Sequence, residues 1–343
     1  MLALQKKSGE PGVDLVAVSA PDAPGLGEVI VEVAAAGICG SDLHIEQWTG
    51  GYDFLLPALP VTLGHEFSGT LYALGEGVEP TALGRRVVVK PSVACGKCDY
   101  CLQGDDDDCQ NRKPIGLLQN GAFAKYVRVP FSQCIEIPDH LDLELAALVE
   151  PLTISEHAVQ DGDVKAGDRV VIFGPGTIGQ GAAVMARLAG AAQIVVVGYD
   201  DKPRFDVVRA LGFHDCIDLA DPGAQEALRN LAGKGFNVAI EAAGVNSALE
   251  QGLELLETCG VLVAVGIHGR KAQFDITSFV RRRLRMVGSY RATHAMWVKC
   301  VAALAANPES FRPMVTHRLP LAEAVEGFRL GAAKKASKVL LFP

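Results

Sequence analysis

Val170-Val171-Ile172-Phe173 runs straight into Gly174-Pro175-Gly176-Thr177-Ile178-Gly179, and helix formers follow from Gln180 to Ala189. A short apolar run closed by glycine reads as a buried strand. A G-x-G-x-x-G run is weak by itself. Between a strand and a helix it becomes the fingerprint of a dinucleotide-binding βαβ unit. Gly174 permits the tight turn, Gly176 lets a pyrophosphate approach the backbone, and Gly179 allows close contact of helix and strand. The free N–H groups and positive dipole end of the helix would then face the phosphates. Gly174, Pro175, Gly176, Thr177, Ile178 and Gly179 are therefore the expected cofactor cradle.

The same grammar continues outward from this stretch. Gln193 to Val197, Asn237 to Ile240, Val261 to Val265 and Arg285 to Ser289 read as strands, with helical stretches from Pro203 to Leu211 and Ser247 to Glu257 between them. Apolar strands alternating with helices predict an α/β, doubly wound parallel sheet covered on both faces. Before about Leu152 the chain reads differently. Short β-type runs such as Val29 to Val33, Gly69 to Leu74 and Arg86 to Val89 are closely punctuated by Gly and Pro. That pattern predicts an irregular, mostly antiparallel β-domain. Beyond the sheet, Ala295 to Ala306 reads as a helix and Ser337 to Phe342 as a closing strand. Only the tetra-aspartate Asp105 to Asp108 stands out as low in complexity.

A chain of 343 residues, 49% hydrophobic and 21% charged, is long enough for two globular domains. Its net charge of −8 argues against a nucleic-acid face. The one basic cluster, Arg281, Arg282, Arg283 and Arg285, reads as a solvated stretch before a strand. The charged start MLALQKKSGE does not resemble a secretion signal, and no run of about 18 apolar residues offers a membrane span. The cytoplasm is the expected location.

Four of the nine cysteines crowd together as Cys95-x2-Cys98-x2-Cys101-x7-Cys109. In a chain without a secretory signal such spacing reads as metal ligation rather than disulfides. Four thiolates close a tetrahedron around Zn²⁺ and leave no position for substrate, so this site is structural. Elsewhere stand Cys39 in Gly37-Ile38-Cys39-Gly40-Ser41-Asp42-Leu43-His44, His65 and Glu66 after Gly64, and Glu150 before Pro151. A thiolate, an imidazole and a carboxylate would leave a fourth coordination position open, which is the catalytic arrangement. Spacing alone does not join them. Cys134, Cys216, Cys259 and Cys300 lie in apolar contexts and read as buried filler. His157, His268 and His317 read as structural histidines.

Gly64-His65-Glu66-x2-Gly69-x5-Gly75-x2-Val78, together with the cysteine loop and Cys39, resembles the signature of the zinc-containing medium-chain alcohol and polyol dehydrogenases. The resemblance runs from about residue 20 to the C-terminus. It implies a GroES-like β-domain (1–152), a Rossmann domain (153–290) and a C-terminal segment (291–343) completing the first. It also implies Cys39 and His65 as ligands of a catalytic zinc, with Glu66 or Glu150 as the third. Ser41 and His44 would relay the substrate proton. The acid Glu150, where members acting on simple alcohols usually carry cysteine, points to the sorbitol and threonine dehydrogenase branches. Trp48, from the loop after Cys39, and Phe54 would wall the substrate pocket, and Arg291 would bind a hydroxyl.

The ribose-binding acid of that family falls here on Tyr199, with Asp200 immediately after it. Asp200 then implies NAD as cofactor, whereas Lys202 or Arg204 meeting a 2′-phosphate would imply NADP; Asp200 as a plain turn residue is the third reading. The activity implied is oxidation of a secondary hydroxyl on a polyol to a ketone, by a homodimer or homotetramer. L-Threonine 3-dehydrogenase, a simple secondary-alcohol or diol dehydrogenase, and a non-catalytic zinc- and cofactor-binding protein are the alternatives.

Overall fold

The computed structural model describes residues 1–49 and 51–343 and divides into two units. One comprises Met1–Glu150, Thr293–Pro308 and Val315–Pro343; the other comprises Pro151–Ala292 and Glu309–Met314. The unit boundaries fall at 150 and 292, beside sequence-drawn boundaries at 152 and 290, and 309–314 belongs with the second unit.

The first unit is built on β1 (Glu28–Gly37), whose ten residues are buried at most positions because partners flank it on both edges. After β1 comes α1 (Gly40–Gln47), then β2 (Glu66–Leu74), β3 (Arg86–Val89), β4 (Tyr126–Pro130) and β5 (Cys134–Glu136). β1 and β2 pair antiparallel with Gly37 opposite Glu66, and that register decides the site described below. Val29, Val31, Val33, Phe67, Leu71, Val87, Val89 and Phe123 form the apolar core beneath these strands. Trp48 stands in the turn directly after α1. It caps the C-terminus of α1, with Lys6 Nζ 5.1 Å from its ring centroid, and packs against this core.

Helix α2 (Val149–Asp161) leads into the second unit. There β6 (Arg169–Phe173), α3 (Thr177–Leu188), β7 (Gln193–Gly198), α4 (Lys202–Ala210), β8 (Cys216–Asp218), α5 (Ala224–Ala232), β9 (Phe236–Glu241), α6 (Asn246–Leu255), β10 (Leu256–Ala264) and β11 (Arg285–Gly288) alternate. All six strands run parallel in the order β8-β7-β6-β9-β10-β11. The chain winds one way from β6 and the other way from β9, so the order reverses between them. This is the Rossmann arrangement, and that reversal is where such sheets open a crevice for ligands.

β8 and α5 went unread in the sequence. β10 begins five residues before the expected Val261, because buried Leu256 pairs with Phe236 ahead of a register shift. Within that early part Cys259 has φ +67° and is exposed, which corrects its reading as buried filler. Cys134 and Cys216 are half-buried, and Cys300 is buried.

The chain returns to the first unit over Thr293–Pro308 and again through β12 (Val315–Pro320) and β13 (Lys338–Phe342). β13 pairs antiparallel with the end of β1, Leu340 opposite Gly37, and so enters the first sheet. No helix among the described residues is long and apolar enough to cross a membrane.

Candidate active site and metal centres

The register of β1 with β2 is what brings Cys39 to His65 and Glu66. Cys39 lies two residues past Gly37, and Glu66 is the residue paired with Gly37. A side chain at Gly37 would run into the Glu66 carboxylate, so only glycine leaves that carboxylate its place. The donor atoms of Cys39, His65 and Glu66 lie within 4.8 Å of one another, with His65 and Glu66 buried and Cys39 half-buried. Thiolate, imidazole and carboxylate at such separations suit a tetrahedral zinc with one position open.

Two residues that sequence reasoning missed hold this set. Asp42 is fully buried; its Oδ2 accepts the Cys39 N–H at 3.0 Å, and its Oδ1 lies 3.6 Å from His65 Nδ1. Carboxylate on one ring nitrogen and metal on the other is the usual way an imidazole ligand is oriented. Lys338 is buried too, and its Nζ donates to Glu66 Oε2 at 2.5 Å and to the Ile38 carbonyl at 2.9 Å. Asp42 had a signal, its place in the Cys39 run. Lys338 had none, since 272 residues separate it from Glu66.

The electrostatics match a site that a cation would complete. Burial pushes Asp42 up. Burial alone would lower His65, but the charges of Asp42, Cys39 and Glu150 outweigh it and raise His65 well above its ordinary value. Glu150, in the first turn of α2, is pushed up to about 7 by burial, with the Glu66 charge adding to the effect. It stands outside the 4.8 Å set of Cys39, His65 and Glu66 but within electrostatic reach of them.

Ser41 Oγ lies 3.3 Å from His65 Nε2. His44, on the same helix, is exposed, and its Nδ1 lies 3.3 Å from Thr49 Oγ1. Ser41 and His44 are three residues apart on α1, so they share a face. Among the described residues they make no hydrogen bond to each other.

Cys95, Cys98, Cys101 and Cys109 also converge within 4.8 Å, and no cysteine among the described residues is in a disulfide. Cys98 Sγ lies 3.5 Å from Cys101 Sγ and 3.9 Å from Cys109 Sγ. A tetrahedron with Zn–S arms of about 2.3 Å has edges of about 3.8 Å, so the four sulfurs already stand near zinc geometry. N–H donation from Cys101 and Gln110 lowers Cys98 to about 6, which favours the ligating thiolate. Burial and the Cys98 sulfur push Cys101 up to about 12, a penalty that a dication would offset. Lys90 pairs with Asp107 of the tetra-aspartate at 2.5 Å.

In the second unit Gly174 has φ +108°, and its N–H donates to the Val197 carbonyl at 2.8 Å. A side chain at Gly179 would meet the Gly174 carbonyl, so α3 approaches the turn closely enough to require glycine. Buried Gln180 donates from Nε2 to the Pro175 carbonyl at 2.7 Å and braces the loop from the helix side. After β7, Tyr199 is exposed and Asp200 takes φ +47°; the Asp200 N–H donates to Asp218 Oδ1 at 2.8 Å. Arg204 pairs with buried Asp201 at 3.2 Å. Arg291 has φ +72°; its carbonyl lies 2.6 Å from His157 Nδ1, and its guanidinium stacks on Tyr290. Phe54 is half exposed, its ring tilted against Tyr52 at 6.1 Å between centroids.

Comparison with known proteins agrees with this donor chemistry. Residues 25–139 match the alcohol dehydrogenase GroES-like domain, and residues 177–307 match the zinc-binding dehydrogenase domain. Among the relatives, the sorbitol dehydrogenase of Halalkalibacterium halodurans is 34% identical over all of this chain and 99% of its own length. The L-threonine 3-dehydrogenase of Saccharopolyspora erythraea is 32% identical, covering 99% of this chain and 98% of its own. A zinc-binding dehydrogenase from Sinorhizobium meliloti 1021, solved with NADP bound, superposes with a TM-score of 0.86 at 32% identity, over 100% of this chain and 99% of that one. The chain therefore belongs to the zinc-containing medium-chain alcohol dehydrogenase family. It is a zinc-dependent alcohol or polyol dehydrogenase that uses zinc and a nicotinamide dinucleotide, NAD or NADP.

Proposed function

We propose that this dehydrogenase oxidises a secondary hydroxyl of a polyol to the ketone, with NAD as hydride acceptor. The observation that carries the reading is the grouping of Cys39, His65 and Glu66 with a second carboxylate, Glu150, beside them. When bound, zinc supplies a Lewis acid that eases loss of the hydroxyl proton, and the dinucleotide accepts the hydride. Cys39, His65 and Glu66 would hold the metal, and Glu150 would serve as exchangeable ligand or hold a water beside it. Ser41 Oγ would take the hydroxyl proton, and exposed His44 would pass it to solvent. Arg291, Trp48 and Phe54 belong to this reading as substrate contacts. Charge supports NAD over NADP: Asp200 and Asp201 stand together after β7, and Arg204 already pairs with Asp201 at 3.2 Å. A cytoplasmic homodimer or homotetramer belongs to the same reading.

A second reading is L-threonine oxidation. The run from Cys39 to Trp48 favours it, as does the relative of that name at 32% identity. Initial rates of NAD⁺ and NADP⁺ reduction over hexitols, pentitols, short diols and L-threonine separate the two. Turnover of polyols with NAD⁺ is the expected result. A preference for threonine moves the chain to the second reading, and a preference for NADP⁺ overturns the role given to Asp200.

A further inference from the structure

Glu241, the last residue of β9, is fully buried and ties two loops together. Its Oε1 accepts the N–H groups of Ala243 at 2.9 Å and Gly244 at 2.7 Å, in the loop after β9. Its backbone carbonyl accepts from Val265 at 2.8 Å and Gly266 at 3.0 Å, in the loop after β10. Its Oε2 faces His268 Nε2 at 2.9 Å. The loops meet so closely that a side chain on Gly266 would collide with the Gly244 backbone, and Gly244 itself has φ +70°.

The other side of the imidazole is equally defined. Asn246 Nδ2 donates to the Lys271 carbonyl at 2.8 Å, which leaves Asn246 Oδ1 as the atom 3.0 Å from His268 Nδ1. Both ring nitrogens thus face oxygen. Both bonds form when an imidazolium lies against the Glu241 carboxylate, or when a neutral ring accepts a proton carried by Glu241. Where both partners are ionised the bond is charge-assisted, and such a bond is among the stronger ones.

The place of this cluster in the sheet gives it a task. The pyrophosphate cradle follows β6, and the ribose position follows β7. In the order β8-β7-β6-β9-β10-β11 a dinucleotide lying across the carboxyl ends puts its other half, the nicotinamide, over β9 and β10. The loops after β9 and β10 expose Val245 (49%) and Ile267 (74%), apolar side chains suited to the flat face of a ring.

We infer that Glu241, His268 and Asn246 form a hydrogen-bonded clamp that sets the spacing of these two loops, and that His268 is a positioning residue for the nicotinamide half of the cofactor. The clamp acts through the backbone of Gly244 and Ile267 rather than by touching the ring. It rests on the reading of Gly174 to Gly179 as a dinucleotide site.

The test compares NADH with ADP-ribose, which lacks the nicotinamide, on the zinc-loaded protein by calorimetry. His268→Phe is expected to weaken NADH about tenfold while ADP-ribose stays within about twofold. Asn246→Ala, which removes the bonds to His268 and to the Lys271 carbonyl and leaves Glu241 paired, is expected to weaken NADH about threefold with the same selectivity. This second variant keeps the test open if the first does not fold. Equal losses for both ligands, or no loss for either, would overturn the clamp. Failure of the unmutated protein to bind NADH and ADP-ribose alike would sink the dinucleotide reading instead.

Discussion

The two sulfur-bearing centres of the first unit are built on opposite plans. Cys95, Cys98, Cys101 and Cys109 come from a single stretch of 15 residues, all of one ligand type. Cys39, His65 and Glu66 come from two strand ends, mix three ligand types, and are held by Asp42 from the Cys39 run and by Lys338 from 272 residues beyond Glu66. A local loop of identical ligands can saturate a metal and brace a lobe poor in apolar side chains. A mixed set with outer partners keeps a position open and tunes what binds there. In the function proposed above, the difference separates a centre for stability from a centre for chemistry.

That contrast can be broken most directly at Cys39. Cys39→Ser is expected to lower kcat/KM by at least about 10²–10³-fold and to reduce bound zinc from two ions to one per chain, read by initial rates and metal analysis. Full activity with one zinc would end the distinction. Lys338→Met is next, because it leaves Glu66 buried without its cation. A loss of about 3–5 kcal/mol in denaturant unfolding of the zinc-free protein is expected. A smaller loss would mean that Glu66 relaxes toward water.

Cys98→Ser should act on the other centre. The expected result is a Tm lower by about 10 °C with turnover per folded molecule unchanged at low temperature. Lost turnover in the still-folded variant would show the two centres to be coupled. Asp42→Asn sharpens the comparison further, since Asp42 faces ligands of the mixed centre. It should cost about 10–100-fold in zinc affinity at one site and nothing at the four-cysteine site, by chelator competition.

The smallest effect concerns a thiol outside both centres. Burial pushes Cys134 up to about 12, so the folded chain keeps that proton after an unfolded thiol, near 8.5, has lost it. The folded state then binds more protons than the unfolded one between those values, and stability falls as pH rises through that window. Cys134→Ala should flatten this alkaline slope in urea titrations. An unchanged slope would assign it to other groups.

Read from the chain alone, Phe173 to Gly179 and Cys95 to Cys109 carry their meaning locally. A glycine turn and a tight cysteine spacing constrain backbone within a few residues, so neither needs a distant partner to be recognised. The alternation of apolar strands with helices likewise determined the parallel sheet. Local pattern failed at Leu256 to Gly260 and at Cys259, where the pairing of Leu256 with Phe236 extends β10 and turns the thiol outward.

What only the tertiary structure decided is which donors meet. Strand register is a collective property of two or three chain segments. The pairing of Gly37 with Glu66 and of Gly37 with Leu340 brings Cys39, Glu66 and Lys338 together from three regions that share no local signal. The Glu241–His268 contact arises in the same way, from the side-by-side ends of β9 and β10. Residue types and spacing in this chain specify what each segment can bind; the register between strands determines where those capacities converge.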